Sequence, residues 1–222
     1  MFYDFYLNRK TGRLAKFQAE RLIPALAKPA LHGLPQSPKV LEIGVGRGDF
    51  AQYLKSIGVN YTGIEANSNL CNRLNEQGFN VIYSQVPPFP KELERETYDL
   101  VVMCHIFEHL KDWQEALKVL GEIFALLKPG GRLLLFHPDY LDWGMDYFDR
   151  DYSHSLILTR NRVDNLVSDS GFKIIHRDSF RSFFRGIKPF SWLLAKVLNC
   201  TFGKPKIAFK LNLLTICEKV NE

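Results

Sequence analysis

Three glycines alternate with other residues directly after an apolar run that holds one carboxylate. The stretch VLEIGVGRGDF, residues 40–50, places Gly44, Gly46 and Gly48 after Glu42. Glycines at such a point let the main chain turn tightly and let a ligand lie against the backbone. Their spacing is G-x-G-x-G, whereas the dinucleotide fingerprint is G-x-G-x-x-G. Because a charged Glu42 repels a diphosphate and attracts an ammonium group, we expect a cationic or zwitterionic ligand near Gly44.

A second carboxylate, Glu65, ends the segment YTGIEAN. A carboxylate at this position can accept hydrogen bonds from both hydroxyls of a ribose. The two acids and the glycines together suit a ribose and an ammonium, with no demand for phosphate. S-adenosylmethionine has this chemistry, and we predict it as the cofactor. A dehydrogenase that uses a dinucleotide is disfavoured by the glycine spacing and by Glu42.

Short apolar runs alternate with helical patterns around these residues. The predicted strands are KVLEIG, NYTGIEA, FNVIYS, YDLVVMCH, GRLLLFHP, FKIIHRDSF and AFKLNLLTICEKV. A helix with Asp112 as its N-cap is predicted over DWQEALKVLGEIFALLK, and LAKFQAERLIPALAK spaces Leu14, Phe17, Leu22 and Leu26 as one helical stripe. Such an alternation predicts right-handed crossovers and a parallel sheet with helices on both faces. In a sheet of this kind ligands bind beyond the carboxyl ends of the strands, where the strand order reverses. The glycine run lies in that place.

Four segments, in this order, resemble the motifs of class I S-adenosylmethionine-dependent methyltransferases: VLEIGVGRGDF, YTGIEAN, YDLVVMCHIFEHL and LLKPGGRLLLFHPD. The likeness covers about residues 38–178 and is greatest to the small-molecule group that includes ubiquinone-type and sugar or polysaccharide methyltransferases. It implies an α/β fold with a Rossmann-like, seven-stranded, mostly parallel sheet whose last strand is antiparallel. It also implies that the three glycines line the methionine part, that Glu42 lies near its amino group, and that Glu65 binds the ribose.

The same resemblance implies three more cofactor contacts. Gln85 stands where the family usually has an acid that holds the adenine amino group, and a glutamine oxygen can accept the same bond. Cys104 and His105 follow the fourth strand and are expected to form a wall of the cofactor pocket, partly through backbone atoms. Glu108, in the same segment, is expected to anchor the loop or begin a helix.

Methyl transfer from a sulfonium is an in-line displacement, so the protein must align the acceptor and, for oxygen or nitrogen, remove a proton. Histidine suits this base role near neutral pH. His109, His137 and His154 all lie on segments expected around the acceptor pocket. We predict that at least one of them is catalytic, although each can also be a structural histidine.

No metal site is predicted. The end of the fourth strand offers Met103, Cys104 and His105 rather than carboxylates. The acids of DYLDWGMDYFDRDYSHS fall in one loop, which is expected to be solvated rather than to hold a cation. The aromatic residues of this loop can stack on an acceptor ring or close a small core.

The net charge of +5 is unevenly distributed, with positive ends around an acidic middle. Basic ends suit an anionic substrate, a nucleic acid or an anionic membrane surface, or are simply solvated. No N-P-P-Y tetrad and no Pro-Cys or Thr-Cys pair marks a nucleic-acid methyltransferase, so nucleic acid is not the expected partner.

The segment FFRGIKPFSWLLAKVLNCTFGKPK mixes basic and large apolar residues. It can contact a membrane peripherally, cover the substrate as a lid, or extend the core.

We predict an N-terminal helical cap over residues 1–37 and a methyltransferase domain over residues 38–222, with an insertion at about 180–206. Four scattered cysteines, the lack of a signal-peptide pattern and the lack of a membrane span predict a cytosolic enzyme. The predicted acceptor is a small or carbohydrate-like molecule, including a lipid-linked one. An RNA or protein methyltransferase and a non-catalytic cofactor-binding scaffold are the alternatives, and no oligomeric state is predicted.

Overall fold

The computed structural model describes the backbone of residues 13–181 and 210–220, with side chains from residue 19 onward. The helices and strands follow one another as α1 (Arg13–Leu31), β1 (Lys39–Ile43), α2 (Asp49–Ser56), β2 (Asn60–Glu65), α3 (Ser68–Glu76), β3 (Val81–Tyr83), β4 (Tyr98–Cys104), α4 (Trp113–Leu126), β5 (Leu127–Pro138), α5 (Tyr140–Trp143), α6 (Asp146–Asp149), α7 (Arg160–Asp169), β6 (Phe172–Arg181) and β7 (Leu211–Lys219). A short 3₁₀ helix, Phe107–His109, lies between β4 and α4.

The strands form one seven-stranded sheet in the order β3-β2-β1-β4-β5-β7-β6. Strands β1 to β5 pair in parallel, and β7 runs antiparallel to both β5 and β6. The predicted fold class, a mostly parallel sheet with an antiparallel last strand, is confirmed. The strand order reverses beside β1, so the carboxyl ends of β1, β2 and β4 enclose the crevice in which sheets of this kind bind ligands.

Helices cover both faces of the sheet because each buries an apolar stripe. On one face α1 and α2 contribute Leu22, Leu26, Phe50 and Leu54 to a core shared with β1, β4 and β5. On the other face α4 and α7 pack through residues such as Ile123 against the same strands. Leu22 and Leu26 belong to the helical stripe predicted for the N-terminal segment.

Two boundaries differ from the prediction. The helix that was expected to continue into the LLK segment ends at Leu126, because Leu127 already pairs with Tyr98 and β5 begins there. The acidic, aromatic loop after β5 folds into two single helical turns, α5 and α6. The predicted cap of α4 is confirmed, since the Asp112 side chain accepts a hydrogen bond from the N–H of Glu115 over 2.8 Å.

The predicted insertion at about 180–206 lies almost wholly outside the described residues. Phe180 and Arg181 are described, and they form the end of β6. Within the described ranges no helix has both the length and the apolar character needed to cross a bilayer.

Candidate active site

The three glycines of the loop after β1 have φ angles of 77°, 57° and 84° for Gly44, Gly46 and Gly48, a region that favours glycine. Their surroundings differ. A Cβ atom at Gly44 would lie 2.0 Å from Cδ1 of Ile106, and one at Gly48 would lie 2.6 Å from Cδ2 of Leu74. A Cβ at Gly46 would have no described atom within 4 Å. Gly44 and Gly48 therefore make room for the protein's own side chains, and Gly46 leaves open space beside the backbone.

Glu42, near the end of β1, is buried. Its Oε2 accepts a hydrogen bond from the hydroxyl of Tyr61 over 2.6 Å. Burial raises the pKa of Glu42 to about 8; the bond from Tyr61 opposes this rise, and the negative charges of Glu65 and Asp49 add to it. Glu42 therefore keeps its proton at pH 7 unless a cation lies beside it, so the standing negative charge expected from the sequence is not present.

Glu65, at the end of β2, connects that strand to the glycine loop. Its Oε2 accepts a hydrogen bond from the N–H of Gly46 and its Oε1 one from the N–H of Asn67, both over 2.8 Å. Burial raises the pKa of Glu65, and these backbone bonds oppose the rise. A carboxylate has about four lone-pair positions, so two remain for hydroxyl groups of a ligand.

Gln85 lies just beyond β3 and is exposed. The backbone of this segment is attached to β2, because the N–H of Ser84 donates to the carbonyl of Glu65 over 3.1 Å. This contact brings the segment to the crevice edge, and the adenine-binding role of Gln85 stays a prediction.

The chain leaves β4 through a strained residue. His105 has a φ of 56°, an unusual value for a residue other than glycine and one that often marks a functional position. Its N–H donates to the carbonyl of Phe136 over 2.7 Å, so that N–H is already used. Burial raises the pKa of the neighbouring Cys104 thiol well above its usual value, as do the charges of Glu42 and Glu108. Cys104 is therefore a neutral thiol and not a thiolate nucleophile, and its place in the wall of the cofactor pocket stays a prediction.

Glu108 follows on the 3₁₀ helix and is fully buried. Its Oε1 lies 3.1 Å from Nδ1 of His105, and its Oε2 has no hydrogen-bond partner among the described residues. Burial raises the pKa of Glu108, but the bond to His105 and the charges of His105 and His109 outweigh burial, so its pKa is lowered. A buried carboxyl oxygen without a partner is costly. The contact of Glu108 with His105 fits the loop anchor expected from the sequence.

His109 and His154 form a pair, with ring centroids 4.9 Å apart. Nδ1 of His109 lies 3.0 Å from Oγ of Ser153, whose hydroxyl donates to Asp151. Because that hydroxyl proton is used, the network assigns the bond as Nδ1–H of His109 donating to Ser153. Nδ1 of His154 donates to the carbonyl of Tyr147 over 2.6 Å. When such a ring is uncharged, its unprotonated nitrogen is Nε2.

His137 lies on β5 and is fully buried. Its Nδ1 donates to the carbonyl of Pro138 over 2.9 Å, and its Nε2 has no hydrogen-bond partner among the described residues. Burial also lowers its pKa. Full burial limits contact with an acceptor, and the base role of each of the three histidines stays a prediction.

Two acids of the segment after β5 pair with basic side chains. Asp142 pairs with Arg181 over 3.0 Å, and Asp146 pairs with Lys210 over 3.0 Å. Of the aromatic residues in this segment, Tyr147 is fully buried, and its hydroxyl donates to the carbonyl of Leu156 over 2.6 Å. Part of the segment therefore forms a small core, which was one of the two roles predicted for its aromatic residues.

A family model described as a methyltransferase domain matches residues 13–177. The chain belongs to this methyltransferase family. The methyltransferase has the fold of a SAM-dependent methyltransferase from Archaeoglobus fulgidus, with a TM-score of 0.70, 21% identity, and coverage of 99% of this chain and 100% of that one. It also has the fold of a SAM-dependent methyltransferase from Methanosarcina mazei, with a TM-score of 0.63, 19% identity, and coverage of 85% and 95%.

A curated relative of the methyltransferase is the highly reducing polyketide synthase pkhB of Emericella nidulans. The two are 31% identical over 139 residues, which is 56% of this chain. The chain spans about 5% of the length of that relative.

The chain carries a methyltransferase domain, and S-adenosylmethionine is its expected cofactor. The residues present fit that molecule. The open backbone at Gly46 gives the methionine part room to approach, and Glu65 keeps acceptor capacity for hydroxyls. Glu42 holds a proton that an approaching ammonium group would displace.

Three features of the site were missed in the sequence. These are the packing of Ile106 over Gly44, the unsatisfied oxygen of Glu108, and the Ser153–Asp151 relay behind His109. The one local signal was the spacing of His105 and Glu108, three residues apart, which suits a contact across one helical turn. The other features depend on segments that are distant in the chain.

Proposed function

We propose that this methyltransferase acts on a small-molecule or carbohydrate-like acceptor, including a lipid-linked one, which docks beside the His109–His154 pair. The observation that supports this most directly is the surface next to the pair. The segment that leads from β5 to His154 exposes three large apolar side chains, with exposed fractions of 78% for Leu141, 74% for Met145 and 88% for Tyr152. Apolar contacts beside proton-accepting nitrogens suit a ring or chain that carries a hydroxyl or amine.

We assign the cofactor to the crevice at the ends of β1, β2 and β4. Glu42 would hold the ammonium group, Glu65 the ribose hydroxyls and Gln85 the adenine. The backbone around Gly46 would lie against the methionine part, in the loop that Gly44 and Gly48 shape, with Cys104 and His105 as the facing wall.

When bound, S-adenosylmethionine supplies an electrophilic methyl carbon on a sulfonium whose departure leaves S-adenosylhomocysteine. The protein's part is to hold the acceptor in line with that carbon and to accept the proton that the acceptor loses. Nε2 of His109 or His154 can take this proton. The Ser153–Asp151 relay would stabilise the His109 imidazolium that forms, since Asp151 lies two hydrogen bonds away.

The test is transfer of label from methyl-labelled S-adenosylmethionine to a fractionated cell extract. We expect label in the lipid-soluble, polar small-molecule or glycan fraction. The matched control is Gly46→Ala, which intrudes on the cofactor space and should lower labelling in every fraction. Label confined to RNA or protein would overturn the proposed acceptor class. Cofactor binding without label in any fraction would favour the non-catalytic scaffold. The cytosolic location and a peripheral membrane contact stay predictions.

A further inference from the structure

Three side chains that can ligate a metal converge beside the cofactor crevice. Glu108, His109 and His154 each offer one ligand atom, and these atoms all lie within 4.8 Å of one another. They come from two segments, the 3₁₀ helix after β4 and the segment after α6. Two imidazoles and one carboxylate are a ligand set that zinc enzymes use, with a fourth position left for water or substrate.

The outer hydrogen bonds of both histidines match those of metal ligands. A ligating histidine usually donates its other ring N–H to a carboxylate, a carbonyl or water, which fixes its tautomer and ring orientation. His154 donates to the backbone carbonyl of Tyr147 over 2.6 Å. His109 donates to Ser153, which donates in turn to the Asp151 carboxylate. In an uncharged ring with such a bond, Nε2 is the nitrogen that carries a lone pair for a metal.

The carboxylate carries independent evidence for a cation. Glu108 is fully buried, and while His105 contacts its Oε1, its Oε2 has no partner in the part of the chain that the structure describes. A carboxyl oxygen left without a partner in the interior is unfavourable, because burial removes its hydration. A divalent cation at this oxygen would remove that cost.

The backbone holds the two segments together. The carbonyl of Glu108 accepts hydrogen bonds from the N–H of Ser155 over 3.0 Å and of Leu156 over 3.1 Å. The two donors directly follow His154 in the chain, so these bonds keep His154 beside the 3₁₀ helix. Ligand atoms bound to zinc at about 2.0–2.1 Å in a tetrahedron are about 3.3 Å apart, so small side-chain rotations would complete the site.

We propose that Glu108, His109 and His154 bind a divalent transition metal such as Zn²⁺, with a fourth position open to an oxygen of the acceptor. This inference rests on the proposed function, because it gives the His109–His154 pair a specific means of activating the acceptor. A bound Zn²⁺ would lower the pKa of an acceptor hydroxyl by several units. That hydroxyl would then lose its proton to solvent instead of to a histidine, and its oxygen would take the methyl group as S-adenosylhomocysteine leaves. No metal site was predicted from the sequence, because the end of β4 offers Met103, Cys104 and His105 rather than clustered carboxylates.

The first experiment measures Zn²⁺ binding to the full chain, after treatment with a chelator, by calorimetry and by metal content after dialysis. We expect one equivalent of Zn²⁺, and Co²⁺ in its place should show the visible absorption of a low-symmetry site. Glu108→Gln and His154→Ala should each weaken Zn²⁺ binding by roughly 100-fold or more. Ser153→Ala, which removes only the outer partner of His109, should weaken it by roughly 10- to 100-fold.

The matched control is His32→Ala, which removes an exposed histidine remote from the cluster and should leave binding unchanged. If Glu108→Gln fails to fold, His154→Ala decides the question alone, because His154 is only half-buried. The metal site is refuted if Zn²⁺ does not bind, or if the folded variants bind it as the parent does. Methyl transfer by the chelator-treated enzyme would then leave the proposed function standing, since that function needs only the acceptor and the histidine pair.

Discussion

The Glu42 carboxyl and the Tyr61 hydroxyl share a hydrogen bond of 2.6 Å in the interior below the glycine loop. Both groups are shielded from water, and burial raises the pKa of each. The pair is therefore neutral when no cation is near. A bound ammonium group would therefore favour the ionised form of Glu42, and the proton of the carboxyl group would be lost to solvent.

This arrangement predicts a pH-dependent stability that Glu42→Gln removes. Folded Glu42 has a pKa of about 8, whereas the unfolded carboxyl titrates near 4.5, so the folded state binds more protons between these values. Stability must then fall as the pH rises through that window. We expect the parent to lose about 2–3 kcal/mol relative to Glu42→Gln between about pH 6 and pH 8.5.

Urea denaturation of the cofactor-free proteins at the two pH values measures this difference. Other groups titrate equally in both proteins, so the comparison isolates Glu42. Parallel pH dependence in the two proteins would show that Glu42 is ionised in the folded state. Glu42→Gln should also weaken binding of S-adenosylhomocysteine, because a glutamine cannot become negative opposite an ammonium group.

Gly46→Ala should weaken cofactor binding out of proportion to its effect on stability. Gly46 has a φ of 57° and open space where a Cβ would lie. The methyl group costs about 1–2 kcal/mol of stability through the left-handed backbone and also intrudes on the ligand's place. We expect S-adenosylhomocysteine affinity to fall about tenfold or more, equivalent to about 1.4 kcal/mol, as measured by calorimetry.

Gly58→Ala is the control for that change. Gly58 has a φ of 74°, equally open surroundings, and a position at the far end of α2 from the glycine loop. The two variants should therefore lose similar stability, and only Gly46→Ala should lose affinity. Equal affinities of the two variants for S-adenosylhomocysteine would show that the ligand does not lie against the backbone of Gly46.

Gly44→Ala should be partly rescued by Ile106→Ala. The added Cβ would lie 2.0 Å from Cδ1 and 2.5 Å from Cγ1 of Ile106, and truncation to alanine removes both atoms. The remaining Cβ of Ile106 would lie 3.8 Å away, an ordinary contact. We expect the double variant to be more stable than the sum of the single effects by about 0.5–3 kcal/mol, by chemical denaturation.

The pair Gly46→Ala and Ile106→Ala should instead be additive to within about 0.5 kcal/mol, because Ile106 does not approach Gly46. Additivity in both pairs would contradict the packing of Ile106 over Gly44.

What the sequence could reveal depended on distance along the chain. The strand, glycine turn and helix around Gly46 were predictable because their signals lie within a few residues. The end of α4 was not, because pairing of Leu127 with Tyr98 overrides a strong local helical pattern. The His109–His154 contact depends on how α5 and α6 fold, and their short turns have no sequence period to detect.

Glu42 shows a second limit. Its position at the end of a strand was evident from the pattern, but its protonation was not. The pKa depends on burial and on Tyr61, which lies on a neighbouring strand. From the sequence alone a carboxyl group is assumed to be charged, because its burial and its neighbours are not known.

The three candidate histidines should separate in a kinetic comparison, using the acceptor fraction that takes up label. His109→Ala and His154→Ala should each lower the rate of methyl transfer by roughly 10²- to 10⁴-fold, with unchanged affinity for S-adenosylhomocysteine. The double variant should lose little more than either single one, because groups that act as a unit are not additive. His137→Gln should act through stability instead, since His137 is fully buried. A folded His137→Gln with a large rate loss, beside active His109 and His154 variants, would place the base on β5.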